Sequence, residues 1–261
     1  TIAARLDAAI ARGEFSTPTV LERQRLLTYI RGRLWQLPEP RAEILSVISR
    51  VLRVDPLDPF DVTRAEREGR EQALEASQVY RRFVPGCERA YLLDTSAHIG
   101  LRSSRRIRGL ATTTAEDALG FRRYPDGIAP SSWDIDVWPA DSYDRPAVDR
   151  GSPSHAAWIA RAKAGEFFSV RYGALVPQGV DGLLVAGRCC SAEHLAQSSA
   201  RIQQTCMAMG EAAGLAAAMG IAAGVQPRGL DPAPLVARLA ELRAATEPAF
   251  TWMRGRQAAP G

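Results

Sequence analysis

Two stretches hold the residues best suited to chemistry. The first, LRSSRRIRG from Leu101 to Gly109, gathers Arg102, Arg105, Arg106 and Arg108 in one short run. In an extended chain Arg106 and Arg108 share one face and Arg105 points to the other. A guanidinium fork can clamp a carboxylate or stabilise an enolate-like charge. Arg102, Arg105 and Arg106 are therefore candidate catalytic groups, and ion pairing on a solvated edge is the competing structural role. The second stretch, DGLLVAGRCCSAEHLAQSSARIQQTCMAMGEAAGLAAAMG, runs from Asp181 to Gly220. Its apolar start reads as a strand buried on both faces and ending on Gly187. Without a Cβ there, another group can approach the backbone closely, and ligands of α/β folds sit beyond the carboxyl ends of such strands. A helix of Ala, Gly and Met follows, expected from about Thr205 to Ala223 with Thr205 as its N-cap. Free N–H groups and partial positive charge at its start suit a ligand that is, or becomes, anionic.

Other chemistries fit less well. Cys189, Cys190, His194 and Cys206 match no structural-zinc spacing, so no metal site is expected. Ser191 and His194 lack a nucleophile elbow and a placed acid. The four cysteines form no disulfide framework, and TIAARLDAAIARGEF has no apolar signal core, which points to a reducing, cytoplasmic setting. The net charge of +4 is spread among 29 acidic residues, unlike the one-sided basic face of a nucleic-acid binder. Glu211 is the sole charge between Arg201 and Arg228. The Ala/Gly composition nonetheless favours a packed helix over a membrane span.

These sites need elements to hold them. Ile2, Leu6 and Ile10 have helical spacing, and a second helix is expected over Thr19 to Trp35. Ile44 to Val54 reads as a strand. The turn DPLDPFD then leads into a helix capped at Asp61 or Thr63 and stopped by Pro85-Gly86. RAYLLDTSAHIGL, SRRIRGLATTT, FFSVRYGALVP and GLLVAG read as strands, with long loops from Tyr124 to Pro153. APLVARLAELRAAT forms a last helix ending before Pro248. Mixed helices and strands give an α/β class. Gly210, Gly214 and Gly220 each cost a helix interior roughly 1 kcal/mol against Ala, so the backbone is expected to press closely on a sheet or ligand.

From about Val47 to Gly224 the chain resembles the carboxyl-terminal part of FAD-dependent oxidoreductases of the glutathione-reductase-like superfamily. The matching blocks, in order, are DPLDPFDVTRAEREGR, IGLRSSRRIRG, RRYPDGIA, YGALVPQGVDGLLVAGRCCSAEH and SARIQQTCMAMGEAAG. The chain departs from the family's pattern at Cys190 and at Gln203-Gln204. The resemblance implies a substrate-domain sheet with helices (1–169), the closing strand and helix of a Rossmann-like FAD domain (170–225), and a carboxyl-terminal helix and tail (226–261). It implies FAD as cofactor, hydride transfer to or from a small organic substrate, and Gly187, Arg188, Ser191, Arg201, Gln204, Thr205 and Cys206 as flavin neighbours. His194 coincides with a family histidine and joins the catalytic candidates as a proton relay. The superfamily's G-x-G-x-x-G unit is absent, because no two of the 21 glycines are separated by a single residue. The chain thus looks like a fragment or split-enzyme subunit. Its expected partner carries the missing unit and docks between Val180 and Gly224, on residues including Leu183, Val185 and Met209. The competing class is a non-catalytic interaction or regulatory subunit that keeps the fold without flavin.

Overall fold

A computed structural model describes residues 2–16, 35–36, 44–45, 49–141 and 152–257. The chain divides into two compact units, one of residues 1–101 and 138–145, the other of 102–137 and 146–261.

In the first unit, α1 (Ile2–Ala11) packs on the long helix α2 (Pro59–Phe83). Leu6, Ala9 and Phe15 meet Ala76, Val79, Tyr80 and Phe83 in a small core. The charged start of α2 is fixed by Asp58, whose side chain accepts the Phe60 N–H at 2.9 Å, and by Pro59 in the first turn. The cap thus lies upstream of the expected Asp61 or Thr63. Asp61 is engaged instead by Arg64 and by the Asp55 N–H. A short antiparallel pair joins β1 (Trp35–Gln36) to β2 (Ile44–Leu45). Trp35 is therefore extended where a helix end was expected; the rest of that helix lies outside the described residues.

The second unit is built on β3 (Gly127–Ser131) and β4 (Phe168–Arg171), paired antiparallel with an irregularity between Gly127 and Ala129. β3 lies inside the stretch read as loops. Its short GIAPS sequence carries too little alternation to stand out among prolines and aspartates. Before it comes α3 (Ala115–Gly120), closed by a capping box of Thr114 and Asp117, and between the strands lies α4 (Pro153–Lys163). A 3₁₀ turn (Tyr172–Leu175), α5 (His194–Ala200), α6 (Gln203–Ala223), a second 3₁₀ turn (Pro227–Gly229) and α7 (Pro232–Gln257) follow. The backbone of α7 stays helical through Pro248. A proline removes one internal hydrogen bond and bends a helix, but need not end it.

Ile128, Phe168, Val170, Leu175, Met209, Ala212, Leu235 and Leu239 belong to this unit's core. α6 packs on β3, and its buried residues, Thr205, Met209, Ala212, Ala216 and Gly220, are spaced at helical intervals. Arg243 ties α7 to both, donating to the carbonyls of Ile128 (2.9 Å) and Ala208 (3.4 Å). The 21-residue α6, with a mean hydropathy of 1.5 in its most apolar window, is long and apolar enough to cross a bilayer. Its buried face nevertheless belongs to the unit's core.

Several expected strands prove to be extended segments without ladders. Among the described residues, GLLVAG makes one backbone bond to another segment, from the Val185 N–H to the Leu175 carbonyl at 2.8 Å, and its Gly187 carbonyl accepts locally from the Cys190 N–H at 3.0 Å. Leu184 and Ala186 pack on the core while Leu183 is 44% exposed, so one face is covered and the other is open. SRRIRGLATTT is held by isolated bridges at Gly109–Pro177 and Thr113–Ala192, and residues 90–101 form no strand. Apolar composition makes these segments extended, but a ladder also needs a neighbour in register. The described sheet is thus antiparallel and small, within a mixed helical and extended fold compatible with the α/β class.

Candidate functional site

Both chemistry-bearing stretches meet in the second unit. Backbone bonds join the Ile107 N–H to the Cys189 carbonyl (2.9 Å), Thr113 to Ser191 (3.1 Å) and Glu193 to Thr113 (2.9 Å). Gly109 is required at this crossing. A Cβ there would lie 2.7 Å from the Gly173 carbonyl and 2.8 Å from the Ser191 Cβ. The arginine run is thereby fastened beside the loop that follows Gly187.

Gly187 has φ of +94°, and a Cβ built on it would meet no atom within 4 Å. The position needs glycine and leaves its open side approachable. Arg188 and Gln204 are exposed. α6 begins one turn earlier than expected, with Ile202 at its N-cap and no side-chain cap bond. Thr205 is not the cap. It is buried in the first turn, and its hydroxyl donates to the Pro130 carbonyl at 3.0 Å, anchoring α6 to β3. The first N–H groups of α6 thus lack a side-chain acceptor, a start suited to an anionic ligand.

Arg102 and Arg188 lie near Arg201 just before this start, and Arg106 lies near His194 and Cys190. Arg102 and Arg201 share Asp136, Arg201 at 3.4 Å and Arg102 in a shorter contact. Gln197, almost fully buried, donates its amide to the carbonyls of Arg102 (3.3 Å) and Arg188 (3.2 Å), tying the two segments together. Arg106 keeps one guanidinium nitrogen, Nη1, buried without a hydrogen-bond partner. Burial, then the nearby Arg102, lowers the Arg201 guanidinium from its usual range against the pull of Asp136. His194 is also held below the ordinary imidazole range, by partial burial and then by Arg106 and Arg201. Its neutral form is therefore favoured, as a proton acceptor requires.

The remaining candidates stand apart. Arg105 is exposed and joins none of these contacts among the described residues. Ser191 is buried, its hydroxyl 2.9 Å from that of Thr112. The Cys206 thiol donates to the Arg201 carbonyl at 3.2 Å, and burial raises its pKa. Burial, with Cys189 and Cys206 nearby, pushes Cys190 up to about 12. Both thiols stay protonated at neutral pH, so they pack rather than react. No metal-binding group of His, Cys, Asp and Glu occurs among the described residues. Two cavities, of about 440 Å³ beside Arg5, Arg12 and Arg82 and about 380 Å³ beside His155 and Trp158, share no residue with this cluster.

Asp136 and Gln197 join the cluster without having been among the candidates read from the sequence. For Asp136 a signal existed: in WDIDVW, Ile135 and Val137 turn inward, and the alternation sets the aspartates on the other face.

The described geometry sets arginines close to a helix start that has no side-chain cap. The family model for FAD dependent oxidoreductases matches residues 12–243, most of the chain, and the protein belongs to that family. No curated protein and no solved structure matches significantly.

Proposed function

We propose that the protein binds FAD at the start of α6 and takes part in hydride transfer between flavin and a small organic substrate. The carrying observation is that the family match spans the arginine run, Gly187-Arg188 and the uncapped α6 start alike. The residues present fit an anionic cofactor. Gly187 leaves an open approach, the first α6 N–H groups face no side-chain cap, and Arg188 and Arg201 add positive charge. When bound, FAD supplies the two-electron chemistry. This chain contributes orientation and electrostatics. Arg102, Arg106 and Arg201 balance negative charge, Asp136 and Gln197 fix their positions, and neutral His194 can accept a proton.

The outer face of α6 supports a further part of the proposal. Met207 is 74% and Ile221 82% exposed, and Gly210 and Gly214 lie on the open side with no atom within 4 Å of a Cβ placed there. Close packing was expected at all three helix glycines; among the described residues it occurs at Gly220, 3.1 Å from the Val225 carbonyl. Two helix glycines without a contact to offset their cost suggest close approach by something else. Leu183 and Val180 add exposed apolar area. The proposed cover is a glycine-rich dinucleotide-binding unit, elsewhere in the polypeptide or in a partner chain. Met209, fully buried in this unit's own core, is not part of that surface.

The test is FAD titration of the chain alone and co-expressed with the segment or chain carrying G-x-G-x-x-G. Stoichiometric flavin retained through gel filtration in the second case, and not the first, is expected. Retention by the chain alone would reveal an adenosine-binding surface within it. Retention in neither case would favour the non-catalytic subunit.

A further inference from the structure

The second unit holds a cavity of about 380 Å³ between α3, α4 and the segment that follows β3. Its size falls in the range of small-molecule pockets, roughly 300–1,000 Å³. Leu119, Ile135, Ala157 and Trp158 give it apolar walls. Trp158 is fixed in place, its ring 4.8 Å from that of Phe121 at 25° and its N–H donating to the Ala118 carbonyl at 3.2 Å. Most polar groups on the cavity are already engaged. Arg161 donates to Glu166 at 2.9 and 2.7 Å and lies over the Phe121 ring at 4.7 Å. Ser154 shares its hydroxyl with that of Ser152 at 3.1 Å. His155 differs. Its side chain is 10% exposed, its backbone N–H donates to the Ser152 hydroxyl that caps α4, and Nδ1 lies 3.6 Å from Asp134 Oδ1. Nε2 takes part in no hydrogen bond among the described residues. A ring nitrogen so enclosed costs stability unless something bonds it.

We propose that this cavity binds a small phenol, its ring against Leu119, Ile135 and Trp158 and its hydroxyl donating to His155 Nε2. The Asp134 carboxylate favours the proton of the neutral imidazole on Nδ1, which makes Nε2 an acceptor. An acceptor calls for a ligand that brings an O–H. A carboxylate ligand would meet Nε2 lone pair against lone pair and would sit beside Asp134. Arg161, held by Glu166, does not offset that repulsion. One polar contact among apolar walls fits a single hydroxyl on a flat apolar body, and the Trp158 ring favours an aromatic one. None of the lining residues belongs to the α6 start, so the inference stands apart from the flavin reading.

The experiment needs no flavin, so its failure is distinct from a failure of FAD binding. The full chain is titrated calorimetrically with p-cresol and, separately, with toluene, the same molecule without its hydroxyl. One saturable p-cresol site is expected, with toluene weaker by about tenfold or more, as loss of a buried hydrogen bond implies. His155→Leu should weaken p-cresol by about the same factor and leave toluene unchanged, a split that general loosening of the fold would not produce. Leu119→Trp, at a wall position 49% exposed, should block both. His98→Leu, in the other unit with its side chain 92% exposed, should change neither. The comparison of p-cresol with toluene on the unaltered chain gives a reading that no folding defect of a variant can obscure. Absence of saturable p-cresol binding overturns the proposal. So does toluene binding as tightly as p-cresol, or p-cresol binding that His155→Leu leaves intact.

Discussion

Helices α2 and α6 are similar in length but meet solvent in opposite ways. The open side of α2 is laced with charge. Arg64 pairs with Asp61 at 2.6 Å and Glu68 at 3.0 Å, and Arg70 with Glu66 at 3.4 Å. Exposed Phe60 and Leu74 sit among these charges. α6 carries Glu211 as its one charge, paired with Arg243 at 3.0 Å, and otherwise presents Met, Ile, Ala and Gly. The contrast extends to their starts: Asp58 caps α2, while α6 has no side-chain cap. One helix is finished by water, whereas the other has the character of an element finished by a ligand and a second surface.

The sharpest way to break this contrast is to load the two faces of α6 differently. Ala216→Leu on the buried face, 1% exposed, should cost about 1–3 kcal/mol by overpacking. Chemical denaturation reads it, and a neutral result would mean that α6 does not pack on β3. On α2, Asp58→Ala should cost about 1 kcal/mol through loss of the cap. The same loss cannot be produced at Ile202, which makes no side-chain cap bond; Ile202→Asp should instead raise stability while weakening anion binding at the α6 start. Gly214→Ala, where a Cβ meets open space, should stabilise the isolated chain by about 0.5–1 kcal/mol. A destabilised Gly214→Ala would show that the face is already covered.

The smallest expected effect is electrostatic. His194 is depressed below 6.5 by partial burial, then Arg106 and Arg201. The unfolded chain therefore takes its proton first as pH falls. Its contribution to stability is complete above pH 6.5 and is lost as pH drops through the lowered folded value. His194→Gln should flatten this slope in pH-dependent melting. An unchanged slope would remove His194 from the cluster.

Much of this was legible where local chemistry decides the outcome. The apolar spacing of Ile2, Leu6 and Ile10 gave α1, the stop at Pro85-Gly86 matched the end of α2, and Gly187-Arg188 marked an open backbone. The cap of α2 lay in the same text, in Asp58-Pro59, but competing Asp61 and Thr63 obscured it. What failed depended on distant partners. GLLVAG has the residues of a strand, yet Leu175 supplies its one described backbone bond to another segment. Thr205 has the chemistry of an N-cap, but the Pro130 carbonyl draws its hydroxyl into the core. Asp136 acquires its role through Arg102 and Arg201, and Gln197 through carbonyls of Arg102 and Arg188, none of which sequence spacing announces.

The central claim is that the outer face of α6 closes a flavin site, and two methionines in one helix test it directly. Met207 is 74% exposed and Met209 fully buried. Oxidative footprinting of the chain alone should therefore modify Met207 and spare Met209. In the flavin-loaded assembly with the glycine-rich unit, Met207 should become protected while Met209 stays unreactive. Met207 remaining as reactive with flavin bound as without it would contradict the account.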